Sequence, residues 1–314
     1  MIEFYKTKDN SIVQIEEPVK GCWINVVNPS SKEIEYLTNT IKVLPEFIRS
    51  SLDEEENSHI DIDEDENQTL IVIDYPNADK KGDDDSILYT TLPLGVVFMD
   101  QYIVTICLHG NQNIDEMISG KIKGVHTEHK SRFLLLLLLR ISQRFLIYLR
   151  QIDRISSKTE HRLHKTLENK ELIQMLGLEK SLVYFSTSLK SDEITLNKIM
   201  RGKVIKLYEE DQDLLEDVMI EVRQAIEMSN IYKDILSGTM DAYASIISNN
   251  LNIVMKFLTS IAIIFAIPTM FSSFWGMNVA VPFANNEFGF LIVSIISLIA
   301  AICAAIFFAK KGMF

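Results

Sequence analysis

The chain has 314 residues, room for one or two soluble domains beside any membrane segment. Its formal charge of -12 comes almost wholly from outside the apolar C-terminal stretches, so the polar part is strongly acidic; that excludes a nucleic-acid binder and suits a surface that meets cations. Cys22, Cys107 and Cys303 form no C-x-x-C pair and read as reduced packing residues of a protein whose soluble part is cytosolic.

The start, MIEFYKTKDN, is polar and carries no secretory signal. Residues 1–130 read as an N-terminal α/β domain, with strand-like runs at Cys22–Val27, Leu70–Tyr75, Leu88–Leu92, Gly95–Met99 and Tyr102–Leu108. Asp100-Gln101 suits a hairpin between the last two, and a helix begins near Pro29, capped by Ser30 or Ser31 with Glu33 in its first turn. Two acidic runs, Asp53-Glu54-Glu55-Glu56 and residues 61–66, read either as a solvated face or as a loose regulatory site for Mg²⁺ or Ca²⁺, both of which take carboxylate oxygen. The second run fails as an EF-hand loop, because Glu66 stands where glycine is needed and Val72 where the closing glutamate belongs.

Residues 131–215 read as a charged helical bundle with turns at Gly177 and around Ser186–Asp192. The leucine run 133–140 is too short to span a bilayer between Arg132 and Arg140, and is expected in a core. His161 and His164 share a helical face but lack a third ligand, so they read as surface residues.

From Glu216 to Trp275 no strong stop signal precedes Pro268, so one stalk helix of about 90 Å is expected to run into the membrane. Residues 257–275 carry no charge and, at about 28 Å as a helix, can cross the hydrocarbon. A loop, 276–288, leads to a second span at 289–309 and a basic tail at 310–314. Lys256, Lys310 and Lys311 flank the spans while the loop has no Lys or Arg; both termini are therefore expected inside a cell membrane and the loop outside. Along the first span Asn252, Met255, Thr259, Ala262, Ala266, Thr269 and Ser273 recur every three or four residues. Such a small or polar stripe faces either a close neighbouring helix or a water-filled pore.

Gly276-Met277-Asn278, at the outer end of the first of two C-terminal spans and followed in the loop by the acidic Glu287, resembles the signature of the CorA-type family of divalent cation channels. The resemblance implies an α/β cytoplasmic domain, a long stalk helix and a two-helix membrane region, assembled as a funnel-shaped homopentamer with lipid around it and no organic cofactor. It implies a passive, potential-driven channel that imports Mg²⁺, with Co²⁺ or Ni²⁺ as further cargo, and no enzymatic activity. Asn278 matches the outer selectivity ring beside Gly276 and Met277, and Thr269 and Asn252 match polar pore positions. Met255 and Leu258 match the apolar constriction, Asp241 an acidic inner position, and Asp217 an intersubunit acid of a regulatory Mg²⁺ site whose nearest N-terminal candidates are Asp53, Glu54, Glu55 and Glu56. The motif moves the stripe reading towards a pore. Departures from the family pattern are Trp275 where Tyr is usual, Ser273 where many members have Gly, and Ala266 in place of a pore-facing Met.

Two other readings fit the layout. A zinc or other transition-metal transporter of the same architecture would recruit softer ligands, and the loop offers only Met277. A non-conducting two-span sensor or scaffold would need a receptor or enzyme module, and no such signature is present.

Overall fold

The computed structural model describes residues 1–80, 87–166, 169–202, 204–283 and 287–313. They fall into two compact units, Met1–Ser237 and Gly238–Phe314.

The first unit is built on seven strands: β1 Ile2–Lys8, β2 Ser11–Ile15, β3 Cys22–Val27, β4 His59–Asp63, β5 Gln68–Lys80, β6 Ile87–Phe98 and β7 Tyr102–Cys107. Their order in the sheet is β2-β1-β3-β7-β6-β5-β4. Among the described strands only β3 and β7 pair in parallel. These central strands are apolar at nearly every position because both faces are covered. On one face Ile24, Val26, Val72 and Val104 pack with Leu37, Phe47 and Ile48, each such side chain contributing about 1.5–3 kcal/mol. On the other, the buried indole of Trp23 donates to Thr105 Oγ1 at 2.8 Å and lies 4.9 Å from the Phe133 ring. Burial pushes the Cys107 thiol up to about 12, so it stays neutral as a packing residue.

Helix α1, Ser31–Tyr36, starts on the expected capping box: Ser30 Oγ accepts from the Glu33 N–H, and the Glu33 carboxylate accepts from the Ser30 N–H. A π-helical turn follows at Leu37–Ile41 and ends where Lys42 adopts φ 69°. Pro45 then opens α2, Pro45–Leu52, where its missing N–H costs nothing. The Ser51 hydroxyl of α2 donates to Phe47 O at 2.7 Å. The α2 face seats on the sheet at Gly95, where a Cβ would lie 1.8 Å from Ser51 Oγ. After the Asp100-Gln101 hairpin, the short α3 (Gln112–Ile118) precedes α4 (Lys130–Thr166) and α5 (Asn169–Met200). The leucine run lies in the core, with Leu134, Leu135 and Leu137 fully buried.

Several expectations require correction. Leu88–Leu92 and Gly95–Phe98 are not two strands but parts of β6, which continues through Pro93 opposite Asp74, and Met99 lies just past its end. Strands β1, β2 and β4 lack a continuous apolar run, since charged or polar residues interrupt each; β4 is the edge sequence His-Ile-Asp-Ile-Asp. No turn interrupts α5 at Gly177 or at 186–192. Its polar residues there bond to tertiary partners instead, Ser188 to Thr91 at 2.8 Å and Ser191 to Ser58 O at 2.9 Å.

Helix α6 runs for 67 residues, Glu209–Trp275, about 100 Å. It begins one to two turns before the expected Glu216, since Glu209, Glu210 and Asp211 give it an acidic first turn that suits the helix dipole. In the second unit it is joined by α7, Gly289–Lys310. Both contain windows apolar enough to cross a membrane, with mean hydropathy 2.0 and 2.9.

Candidate ion pathway and acidic groups

Along the membrane stretch of α6, residues 252–275, the shielded positions are Ser260, Ile261, Ile264, Ile267, Pro268, Phe271 and Trp275. At about 100° per residue they form one face roughly 120° wide. On α7 most of the shielded positions, Val293, Ser297, Ala300, Ala301, Ala304 and Phe308, again share a single face. The described part of this unit holds only these two helices and the loop between them, so these are the faces the spans turn to each other. Asn252, Met255, Leu258, Thr259, Ala262, Ala266, Thr269 and Ser273 are all exposed. Their mean direction is about 180° from the shielded face of α6. Asp241, also exposed, falls on the same side. The stripe is therefore left open by α7, together with the apolar positions Ile263, Phe265, Met270 and Phe274.

The stripe has a defined polarity at Thr269. Its hydroxyl donates to Phe265 O at 3.0 Å, leaving oxygen lone pairs outward. Such a surface accepts hydrogen bonds from the water around a cation.

Beyond Trp275 the helix ends with Gly276 N–H donating to Ser272 O at 3.0 Å. Gly276 is absent from the left-handed residues, and a Cβ there would meet only Ser272 O at 3.4 Å and Ser273 O at 3.7 Å. The single chain thus tolerates a side chain at this position. The demanding glycine is Gly289, whose Cβ would lie 2.5 Å from Phe283 O. The Trp275 indole donates to Pro282 O at 3.0 Å and ties the helix end to the loop. Met277, Asn278 and Glu287 are exposed.

In the first unit, Asp217 lies on α6 and is exposed, as are Asp53, Glu54 and Glu55 after α2, while Glu56 is half-buried. Asp53 Oδ1 accepts from Glu55 N–H at 3.1 Å, Glu54 meets His109 at 2.9 Å, and Glu56 stands 3.6 Å from His59. Among the described residues no three His, Cys, Asp or Glu side chains converge as a metal site. Carboxylate oxygens of this kind suit a hard cation such as Mg²⁺. His161 and His164 are both exposed. Two carboxylates escaped the sequence reading: Asp74 and Asp192, which meet in the interior. The available signal was an acid within the otherwise apolar run Leu70–Tyr75.

The family model described as CorA-like Mg²⁺ transporter protein matches residues 20–311. The chain belongs to the CorA family. The cobalt/magnesium transport protein CorA of Methanocaldococcus jannaschii is 27% identical over 97% of both chains. The complete structure of the CorA magnesium transporter from that organism superposes with TM-score 0.84 at 24% identity, covering 100% of this chain and 99% of the other. The cytoplasmic domain of ZntB from Vibrio parahaemolyticus shares the fold, with TM-score 0.59 and 10% identity over 79% of this chain and 96% of its own. Membership of the CorA family carries divalent cation transport as the general function, without catalysis.

Proposed function

We propose that five copies of this chain form a passive channel that admits Mg²⁺, with Co²⁺ or Ni²⁺ as further cargo, driven by the membrane potential. The observation that carries this reading is the open stripe on α6, which lies opposite the face covered by α7. Five such stripes around an axis would line a path that one chain cannot enclose, with α7 outside against lipid. Both termini lie in the cytoplasm and the Gly276-Met277-Asn278 loop outside, a reading supported by the Lys256, Lys310 and Lys311 flanks.

In this reading a ring of Asn278 amides hydrogen-bonds the water shell of the incoming ion, because Mg²⁺ releases its water reluctantly. Glu287 raises the local cation concentration by its charge. Thr269, Thr259 and Asn252 continue the contacts through water, and Met255 with Leu258 makes a constriction that dewets on closing. A potential of 100 mV is worth about 4.6 kcal/mol to a divalent ion, so no ATP is needed. Cytoplasmic Mg²⁺ closes the pore by bridging carboxylates of adjacent copies, Asp217 with the Asp53–Glu56 segment, which otherwise repel.

The test is uptake into potential-clamped liposomes with an internal Mg²⁺ indicator, comparing the native chain with Asn278→Ala and Asp217→Lys. Entry that needs a negative interior, is lost in the first variant, and escapes internal Mg²⁺ inhibition in the second is the expected result. Proton-coupled Zn²⁺ movement without Mg²⁺ entry would replace this reading with a transition-metal transporter, and no flux of any ion would leave a sensor or scaffold.

A further inference from the structure

Asp74 and Asp192 are held where the sheet runs out of partners. Pairing of β4 with β5 stops at His59 opposite Val72, so from Asp74 onward β5 has an open edge, while β6 continues on its other side with Pro93 opposite Asp74. Side chains of α5 close that edge. The Asp74 N–H donates to Asp192 Oδ1 at 3.0 Å, and the Ser58 hydroxyl donates to Val72 O at 2.8 Å while meeting Thr195 Oγ1 at 3.0 Å.

Both carboxyls are buried, Asp74 at 5% and Asp192 at 4% exposure. Burial raises the pKa of each, and for Asp192 the Asp74 charge adds to it; the Ser188 hydroxyl beside Asp74 and the Asp74 N–H bonded to Asp192 offset part of this. Among the described residues no cation compensates them. The charged groups lining the adjoining cavity of about 740 Å³ with Asp74 are Glu54, Glu55, Glu56, Asp79 and His109, and His109 is engaged by Glu54 at 2.9 Å. On β6 and α5 the neighbours are neutral, Ser188 beside Asp74 and bonded to Thr91, and Thr195 bonded to Ser58; Glu193 turns instead to Arg223 at 3.1 Å, and Lys190 is exposed.

We propose that Asp74 and Asp192 form a proton-operated latch: with a proton held on the pair, α5 stays seated on the open edge of β5, and with both ionised it loosens. The proton exchanges with solvent through the cavity, and only an O–H bond is made or broken. Because both pKa values are raised, the seating contribution is complete below the ordinary carboxylate range and is lost as pH rises through the raised values. Acidification tightens α5 and alkalinisation loosens it. Ser191 ties the same part of α5 to Ser58, so loosening also frees the segment after Glu54–Glu56. The latch does not depend on which ion the second unit conducts.

Hydrogen exchange of the full chain in detergent, normalised for the intrinsic pH effect, tests this from pH 5.5 to 8. Protection of residues 186–196 should fall with rising pH, by up to about tenfold per pH unit for each proton released. Asp192→Asn and Asp74→Asn, neutral and of the same shape, should each flatten that slope, while Asp79→Asn on the cavity wall should keep it. A flat native profile, or native slopes in both Asp74→Asn and Asp192→Asn, would overturn the latch. If Asp192→Asn does not fold, the native slope and Asp74→Asn still decide, and no transport activity is needed to read either.

Discussion

Gly95→Ala tests how α2 is seated. Gly95 sits on β6 opposite Val72 and Ile106, under the fully buried Ser51. An added Cβ would lie 1.8 Å from Ser51 Oγ and 2.5 Å from Ser51 Cβ. Rotating the serine relieves the first clash and not the second, so the backbone of α2 must move. Overpacking of this kind costs about 1–3 kcal/mol, and the required backbone shift places the cost near the upper end. At about 2–4 °C per kcal/mol for a unit of this size, about 3 kcal/mol lowers the melting temperature by roughly 6–12 °C. The assay is thermal unfolding of the full chain in detergent, followed by Trp23 fluorescence in a Trp275→Phe background. Ser51→Gly in the same chain should recover most of the loss, because it removes both clashing atoms. A Gly95→Ala melting temperature within about 2 °C of the parent, or no recovery in the double variant, would refute the reasoning. Asp53–Glu56 follow α2 directly, so if they hold the regulatory ion as proposed, inhibition by internal Mg²⁺ should weaken with it.

Thr105→Val keeps the shape but leaves the Trp23 N–H and Asn25 Oδ1, both bonded to Thr105, without that partner; a loss of about 3 kcal/mol is expected, read as a lower denaturant midpoint. The Glu33 carboxyl is held down at about 2 by its hydrogen bonds to Ser30, against an ordinary 4.5. Its contribution is complete above pH 4.5 and is lost as pH falls towards 2; Glu33→Gln should therefore flatten acid unfolding across that window, and an unchanged profile would contradict the cap. In a Cys303→Ser background, single cysteines at Ala262 and Thr269 should react with a charged thiol reagent at least about tenfold faster than cysteines at Ile264 and Ile267, as water-filled pore lining requires. Equal rates would remove the pore assignment of the stripe.

The parts legible in the sequence were those with a local physical cause. The Ser30–Glu33 box, the buried leucine run and the two spans each announce themselves within a few residues. The stripe was legible as a period, but its opposition to α7 needed the shielding of Ile264 and Phe271. What stayed hidden depends on distant partners. Ser188 and Asp192 look like turn residues until Thr91 and Asp74 are brought to them, and Gly289 looks dispensable until the Phe283 carbonyl approaches it. Edge strand β4 was hidden because its alternation of isoleucine and aspartate reads as charge.

That edge has a consequence for assembly. Tethering several identical chains side by side raises the effective concentration of each sheet edge for its neighbours, and a bare edge offers unpaired backbone groups to any strand that reaches it. Strand β4 is only five residues long and carries Asp61 and Asp63. Two such edges approaching each other bring like charges together, so copies assembled as proposed above would resist joining their sheets into a continuous ribbon.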